Sequence, residues 1–305
     1  KSVKSIDVDL FFKCDAMETV NYTGTVDEWN AISIGSSNSE LNNIPITYNY
    51  GVRNTIPNST LTWEIDENGV LTISGDDEAF PDFFDEVNPM PIVWCDRKDE
   101  VKEVVFNTPK LKNLGSAALV DFENLTSVKL PETLTSIGDY AFVSCFLLSS
   151  VTIPDSVKSI GYGAFGNCSA LTEIVIPDSV TSIGDYAFYG CYALTEIKIP
   201  DSVTSIGNSA FCECTALKEV KIPDHVTSIS DMAFYGCGSL TEIKIPDSVT
   251  SIGRGAFGEC SALTEITIPD SVTSIGANAF EGCLELENVY YTGSESDWES
   301  VSIEN

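Results

Sequence analysis

A 23-residue unit recurs without a gap through the second half of this 305-residue chain, and it constrains the fold more than any other feature. One unit reads Leu-x-x-Ile-x-Ile-Pro-x-x-Val-x-x-Ile-Gly-x-x-Ala-Phe-x-x-Cys. A repeat of this length is typical of solenoids, in which each unit contacts only its neighbours. The Ile-Pro pair marks the period at Ile153-Pro154, Ile176-Pro177, Ile199-Pro200, Ile222-Pro223, Ile245-Pro246 and Ile268-Pro269.

A single unit has too few apolar positions to offset the conformational entropy that it loses on folding. Stacked units cover each other's apolar flanks and pair their backbone groups from coil to coil. The sequence therefore predicts a stack of coils instead of a globule. With strands about 4.8 Å apart, roughly eight coils would make a rod about 40 Å long.

The residue pattern within one unit predicts its local structure. Residues 173–176 alternate in the manner of a strand, with Ile174 and Ile176 inward, and Pro177 ends that strand because it has no N–H to donate. Residues 180–183 predict a second short extended segment, Gly184 a turn, and residues 185–191 a short helical turn that buries the Ala-Phe pair. The predicted fold class is a repeat solenoid, a leucine-rich-repeat right-handed superhelix of 23-residue coils with small β cap units.

The two ends of the chain resemble each other, and this similarity predicts the domain organisation. Residues 20–24 and 29–34 match residues 289–293 and 298–303 without a gap, including Trp29 and Trp298. We interpret the chain as a piece of a longer modular protein that begins inside the last coil of an earlier array. The predicted units are these: 1–50, the last coil of an upstream array with its terminal β unit; 51–103, a β-hairpin cap and linker; 104–290, the main array; 291–305, the start of a second terminal β unit.

A hairpin is predicted ahead of the main array. Residues 61–65 and 70–73 alternate as strands, and the intervening Asn68-Gly69 supplies the positive φ that a tight turn needs. We expect residues 60–102 to cover the open apolar end of the array, because terminal caps are a physical requirement of solenoids.

These motifs resemble the BspA-like class of bacterial leucine-rich repeats, over essentially the whole chain. The resemblance implies a cell-surface or secreted protein, and several members of this class are regarded as adhesins for host matrix proteins or other microbes. It implies no catalytic residues and no cofactor. The sequence departs from the unit at Ser230, which replaces the usual glycine, and at His225, which stands in a serine column.

Charge excludes some classes of partner. The chain has 46 Asp and Glu against 16 Lys and Arg, a net charge of −30, and so it repels nucleic acid and anionic lipid. Its apolar runs are too short to span a bilayer. We therefore expect no nucleic acid and no direct membrane insertion. Together with the family resemblance, this predicts an extracellular, cell-surface location and host or microbial surface proteins or glycans as partners.

The sequence predicts no catalytic residue and no metal site. His225 is the chain's one histidine. It stands at a turn position that recurs in every coil, whereas a catalytic triad needs a unique base beside a unique nucleophile. The acidic columns arise from the repeat. Paired carboxylates for glycan hydrolysis stay open, and a carbohydrate-active or proteolytic enzyme is the third functional alternative. Cys212-x-Cys214 has no histidine partners, which argues against zinc.

Seven of the ten cysteines form one column of the repeat, and Cys14 has the matching place in the first coil. Because cysteine is small and buries well, we predict a stack of free thiols. Disulfides between adjacent coils stay open, since neighbouring Cα atoms would lie within disulfide range. Only Cys95 and Cys212 lie outside this column.

Two surfaces are candidates for ligand binding by an adhesin-type scaffold, and a passive spacer is the alternative function. The outward strand positions carry a glutamate column beside a lysine column. The second surface consists of aromatic residues that vary between coils, since uniform columns cannot encode specificity. The candidates are Glu173, Glu196, Glu219, Glu242 (with Glu265 in the same column), Lys198, Lys221, Lys244, Phe146, Tyr162, Tyr186, Tyr189, Tyr192 and Tyr235.

Overall fold

The protein is a β-solenoid of about eight coils of some 23 residues, seen in a computed structural model. The structure describes residues 5–6, 20–21, 29, 31–34, 46–47, 54–56, 59–83 and 94–304. The predicted solenoid is confirmed. The domain boundaries within the chain remain predictions.

Each coil contributes one strand to each of two sides, and the strands pair in parallel from coil to coil. The first strands of the coils form what we call the first-strand sheet. It begins with Ser150–Thr152, Glu173–Val175, Glu196–Lys198 and Glu219–Val220. Single bridges from Lys221 to Lys244 and from Lys244 to Thr267 connect these strands to Glu265–Ile268 and Asn288–Tyr291. The second strands form two sheets. The first has five strands: Asn113–Leu114, Ser136–Ile137, Ser159–Ile160, Ser182–Ile183 and Ser205–Ile206. The second has four: Ser228–Ile229, Ser251–Ile252, Ser274–Ile275 and Ser302–Ile303.

A mixed sheet precedes the array. Strands Asn54–Thr55, Thr62–Ile65 and Val70–Ser74 are antiparallel, and the last of them pairs in parallel with Glu103–Asn107, which in turn pairs with Ser127–Lys129. The 3-10 helix Cys95–Glu100 follows the buried Trp94, whose ring centroid lies 6.1 Å from that of Phe122 in the array. The hairpin unit and the coils therefore share one hydrophobic core.

Two pairs of short strands and a helix complete the described part of the chain. Near the start, Ser5–Ile6 pairs in parallel with Ser33–Ile34, and Val20–Asn21 pairs in parallel with Ile46–Thr47. Near the end, the helix Glu295–Trp298 begins after Ser294, whose side chain accepts a hydrogen bond from the Asp297 N–H.

The third side of each coil is a turn and differs in one respect from the prediction. The segments equivalent to 185–191 bury their Ala-Phe pairs as predicted, but they are not helical. Two residues per turn adopt a left-handed φ, such as Tyr186 at 57° and Gly190 at 67°, and a right-handed helix cannot contain them. Their N–H groups instead donate to the next coil, as Tyr186 does to the Asn208 carbonyl at 2.8 Å. A third hydrogen-bond ladder thus holds the stack together.

Phenylalanine rings form a continuous column inside the stack, which we call the phenylalanine file. Phe165, Phe188 and Phe211 are fully buried, and their centroids lie 5.5 and 5.4 Å apart with ring planes within 3° of parallel. Because each coil contributes one ring, each ring packs on the rings of the coils above and below it. The complete file is Phe142, Phe165, Phe188, Phe211, Phe234, Phe257 and Phe280.

The cysteine column is a stack of free thiols, as predicted, in the part of the chain that the structure describes. Cys145 Sγ donates to the Leu119 carbonyl oxygen. From Cys168 onward each Sγ of the column donates to the carbonyl oxygen of a phenylalanine in the preceding coil, for example Cys191 to Phe165 at 3.3 Å and Cys214 to Phe188 at 3.2 Å. The same carbonyls accept from a backbone N–H within their own coil. The thiol therefore satisfies the second lone pair of a buried carbonyl, which suits cysteine to this interior position.

The glycine that starts each turn lies directly against the backbone of the preceding coil. A Cβ on Gly184 would lie 2.7 Å from the carbonyl carbon and oxygen of Gly161. The Gly184 N–H donates to the Ile160 carbonyl at 2.9 Å, whereas at Ser230 the hydroxyl donates to the equivalent Ile206 carbonyl at 2.6 Å. A serine side chain can therefore form the bond from this position to the preceding coil.

We expect Gly184→Ala to lower the free energy of unfolding by about 1–3 kcal/mol, because an added methyl group must push two coils apart at their backbones. Urea unfolding followed by circular dichroism measures this loss. Gly238→Ala is the matched control, since its Cβ would lie 3.6 Å from the Ser261 hydroxyl, and we expect a change within about 0.5 kcal/mol. Equal losses in the two variants would contradict the close approach of the coils at Gly184.

Candidate binding surfaces

The outward side of the first-strand sheet forms a shallow groove. Alternation along each strand turns Ile174 into the core and leaves Glu173 and Val175 exposed. Repeated in each coil, this pattern places the predicted glutamate and lysine columns side by side. They line a depression of about 640 Å³, the strand-face groove, with these charged residues: Glu173, Glu196, Glu219, Glu242, Glu265, Lys198, Lys221 and Lys244.

Like charges stand directly opposite each other in the strand-face groove. Glu173, Glu196 and Glu219 are register partners, one strand apart, and Lys221 pairs with Lys244 through a single bridge. The one lysine of the column with an ion pair among the described residues is Lys221, whose Nζ lies 3.1 Å from Asp201 Oδ1. Both of those side chains are about 70% exposed, so the pair adds little stability. The groove therefore keeps most of its charge open to solvent.

Tyrosine rings from successive coils meet on the turn side of the solenoid. The centroid of Tyr162 lies 5.0 Å from that of Tyr140 and 5.2 Å from that of Tyr186, and Tyr186 lies 6.0 Å from Tyr189. Tyr192 follows Tyr189 in the same coil and is exposed. We call these five residues the tyrosine surface. Three of the aromatic candidates, Tyr162, Tyr186 and Tyr189, thus form one run of touching rings.

Partial burial is the largest cause that raises the pKa of Tyr162, followed by its hydrogen bond with Tyr140. Burial also raises the pKa of Tyr189. Both phenols therefore stay protonated at neutral pH. Each can donate and accept hydrogen bonds without adding to the strong negative charge of the chain.

Large residues on the turns cover small residues of the next coil, and this packing explains the variation between coils. The Tyr140 ring lies 3.0 Å from the position that a Cβ on Gly163 would occupy, and the Tyr235 ring lies 2.9 Å from that position on Gly258. In the same columns, Tyr186 precedes Ser209 and Tyr189 precedes Cys212, and these two small side chains are only 3–4% exposed. A pattern that repeats every second coil is therefore superimposed on the 23-residue period.

The remaining aromatic candidates lie apart from this run. Phe146 and Tyr192 stand two coils apart in one column just after the cysteines, and both are exposed. Within the part of the chain that the structure describes, neither these two nor Tyr235 makes a ring–ring contact. Tyr235 is half-buried over its glycine, so its role is packing between coils.

Tyr140 belongs to the tyrosine surface and is absent from the sequence-based candidates. It stands two periods before Tyr186, so the sequence placed it in the same column as a residue that was a candidate. The contact with Tyr162 arises because Tyr162 stands one residue earlier in its own coil, and no single column shows this. Leu147 is also exposed beside Phe146.

The described residues contain no group of three or more His, Cys, Asp or Glu side chains that could hold a metal ion. His225 is exposed on a turn. None of the described helices has the length and apolar character needed to cross a bilayer.

Comparisons with known proteins agree with this geometry. A search of the curated proteins gave no significant match. Among solved structures, a leucine-rich repeat protein from Eubacterium ventriosum ATCC 27560 is 29% identical, with a TM-score of 0.51, and the match covers 76% of this chain and 70% of that protein. The T. pallidum leucine-rich repeat protein TpLRR is 26% identical, with a TM-score of 0.47 and coverage of 76% and 90%.

The family comparison covers most of the chain. Six copies of the BspA type leucine rich repeat region match residues 96–196 and 181–305. These ranges contain all the coils whose phenylalanine rings, thiols and glycines stack in register. The repeat motif, the observed solenoid and this match together show that the chain belongs to the BspA-type leucine-rich repeat family.

Proposed function

We propose that this chain is a non-catalytic, adhesin-type binding module at a bacterial cell surface, and that it takes protein or glycan ligands on the tyrosine surface. The observation that carries this proposal is the concentration of exposed aromatic rings on one part of the turn side. Tyr162, Tyr186 and Tyr192 are 37–46% exposed, and Phe146 and Leu147 are exposed within the same few coils. Monomeric proteins rarely leave such apolar area uncovered unless it binds something.

The chemistry of these rings suits such ligands. A tyrosine offers a flat apolar face for a sugar ring or an apolar side chain, and a hydroxyl that donates and accepts hydrogen bonds. Because the backbone ladders hold the turns, ordering the rings on binding costs little further entropy. Tyrosine is enriched at protein interfaces for these reasons.

The family supports the cellular location in this proposal. The resemblance to BspA-like proteins implies cell-surface or secreted proteins, and the net charge of −30 disfavours nucleic acid and anionic membranes as partners. A protein or glycan outside the cell is therefore the partner class that fits both observations.

The test is retention of the chain on immobilised collagen, fibronectin, mucin and a glycan array at physiological salt. We expect Tyr162→Ser/Tyr192→Ser to reduce retention about tenfold or more, since two exposed contact rings are lost. Neither residue stands in the two columns where a large side chain covers a small one, so the fold should persist. Changing all six aromatic candidates would instead uncover Cys212 and Gly258.

The matched control is Glu196→Gln/Glu219→Gln, which changes charge in the strand-face groove and leaves the tyrosine surface intact. Equal retention by the native chain and the tyrosine variant, with a loss in the control, would move the ligand site to the groove. No retention of the native chain on any surface would favour a passive spacer. The uninterrupted core, which makes the array one continuous body, is the observation that favours this second function.

A further inference from the structure

Tyr162 stands between two aspartates in one column of the repeat. The residue that follows the turn glycine is Asp139 in the coil before it and Asp185 in the coil after it. The Tyr162 N–H donates to Asp139 Oδ1 at 2.8 Å, and the Asp185 carbonyl accepts from the Gly163 N–H at 2.8 Å. Hydrogen bonds between the coils therefore hold an aspartate on each side of the tyrosine.

The Tyr162 ring also contacts two aromatic rings of the neighbouring coils. Its centroid lies 5.0 Å from that of Tyr140 and 5.2 Å from that of Tyr186, and its side chain stays exposed. We call these three tyrosines with Asp139 and Asp185 the Asp-Tyr-Asp site. In the described coils this combination occurs once, because the other residues of the column are Ser116, Asn208, Asp231, Arg254 and Ala277.

The two carboxylates of the Asp-Tyr-Asp site keep their negative charge uncompensated. Neither of them has an ion pair with a described residue. A backbone N–H fixes one oxygen of each, that of Tyr162 on Asp139 Oδ1 at 2.8 Å and that of Asn208 on Asp185 Oδ1 at 2.7 Å. Asp139 is exposed and Asp185 is half-buried. The site therefore combines an exposed aromatic ring with two fixed negative charges.

We propose that the Asp-Tyr-Asp site binds an arginine side chain of a partner protein, with the guanidinium stacked on Tyr162 and hydrogen-bonded to Asp139 or Asp185. The inference rests on the proposed binding role of the tyrosine surface and names the chemistry of its ligand. A guanidinium is planar, stacks on aromatic faces and donates in a fork that matches a carboxylate, whereas an ammonium is a compact and strongly hydrated charge. A neutral sugar could stack on the ring but would leave both carboxylates unpaired.

Asp139→Asn/Asp185→Asn removes both charges and keeps the bonds between the coils. The column already contains an asparagine, Asn208, whose Oδ1 accepts from the Asp231 N–H at 3.2 Å. An amide oxygen can therefore replace the carboxylate oxygen that accepts from the next coil. We expect this variant to fold like the native chain.

The experiment titrates the fluorescein-labelled peptide Gly-Arg-Gly-Arg-Gly with the full chain at physiological salt and follows anisotropy. We expect saturable binding that Asp139→Asn/Asp185→Asn weakens about tenfold or more. The matched control, Glu196→Gln/Glu219→Gln, removes the same two charges from the strand-face groove and should keep the affinity within about twofold, since charges away from the site are screened. A peptide with citrulline in place of both arginines keeps the planar shape, loses the charge and should bind about tenfold more weakly or less. A peptide with lysine in both places should bind about threefold more weakly or less.

No saturable binding at millimolar protein, or equal weakening by the aspartate variant and its control, would overturn the inference. Equal binding of the arginine peptide and either altered peptide would also overturn it. The retention assay separates this failure from failure of the proposed function. Retention that Tyr162→Ser/Tyr192→Ser loses and Asp139→Asn/Asp185→Asn keeps would support the tyrosine surface as the binding site and overturn the arginine assignment.

Discussion

Replacing Phe188 with alanine is expected to lower the free energy of unfolding by about 3–5 kcal/mol. The ring is fully buried and stacks on Phe165 at 5.5 Å and on Phe211 at 5.4 Å. The hydrogen bond from the Phe188 N–H to the Ala210 carbonyl holds the backbone in place, so the cavity cannot collapse easily. The loss therefore includes both the transfer free energy of the ring and the cost of the cavity. Urea unfolding measures it.

Phe280→Ala is the matched control for this prediction. Phe280 ends the phenylalanine file and is only partly buried, and among the described residues it stacks on Phe257 alone. Its removal should cost clearly less than the removal of Phe188, since less area is lost from the core and solvent can fill the space. Equal losses of unfolding free energy at the two positions would contradict a phenylalanine file in which Phe188 is interior and Phe280 lies at the end.

Alkaline pH is expected to destabilise the array strongly. Burial raises the pKa of the Cys145 and Cys191 thiols to about 12, while an unfolded thiol titrates near pH 8.5–9. Below that range both states are protonated and the stability is fully present. As the pH rises from 9 towards 12, only the unfolded chain releases these protons, which costs about 1.4 kcal/mol per pH unit for each thiol. From pH 9 to 11 these two thiols together would remove roughly 5 kcal/mol.

Unfolding free energies measured by urea at several pH values between 8 and 11 test this slope. Cys191→Ser is the control, because a hydroxyl can donate to the same Phe165 carbonyl and does not titrate in this range. We expect its slope to be smaller by up to about 1.4 kcal/mol per pH unit. Identical slopes for the native chain and the variant would show that the buried thiol is not the titrating group.

Periodicity was enough to predict the interior. Positions such as Ile174, Phe188 and Cys191 recur with the 23-residue period, so any stack that aligns one column aligns them all. The predicted strands at 173–176 and near 183 follow from the same alternation. The turn was the exception, because hydrogen bonds to the next coil hold the left-handed φ of Tyr186, and glycine occupies this column only at Gly163 and Gly255.

The candidate surfaces could be predicted only in part. The strand-face groove follows from the period, since residues one period apart must lie one strand apart. The tyrosine surface needed the structure, because Tyr162 and Tyr186 stand in neighbouring columns of the repeat and meet through the shape of the turns. Whether an aromatic residue is exposed or covers a glycine depends on the residue opposite it in the next coil.

The repeat was sufficient to predict that the coils stack, which residues enter the core and which columns face outward, because stacking is the arrangement that buries all members of a repeated apolar pattern. Only the folded structure shows the path of the turns and the contact of Tyr140 with Tyr162. The physical reason is the range of the interactions. Whether a side chain is buried follows from its position in the 23-residue repeat, whereas these features depend on hydrogen bonds and ring contacts between coils.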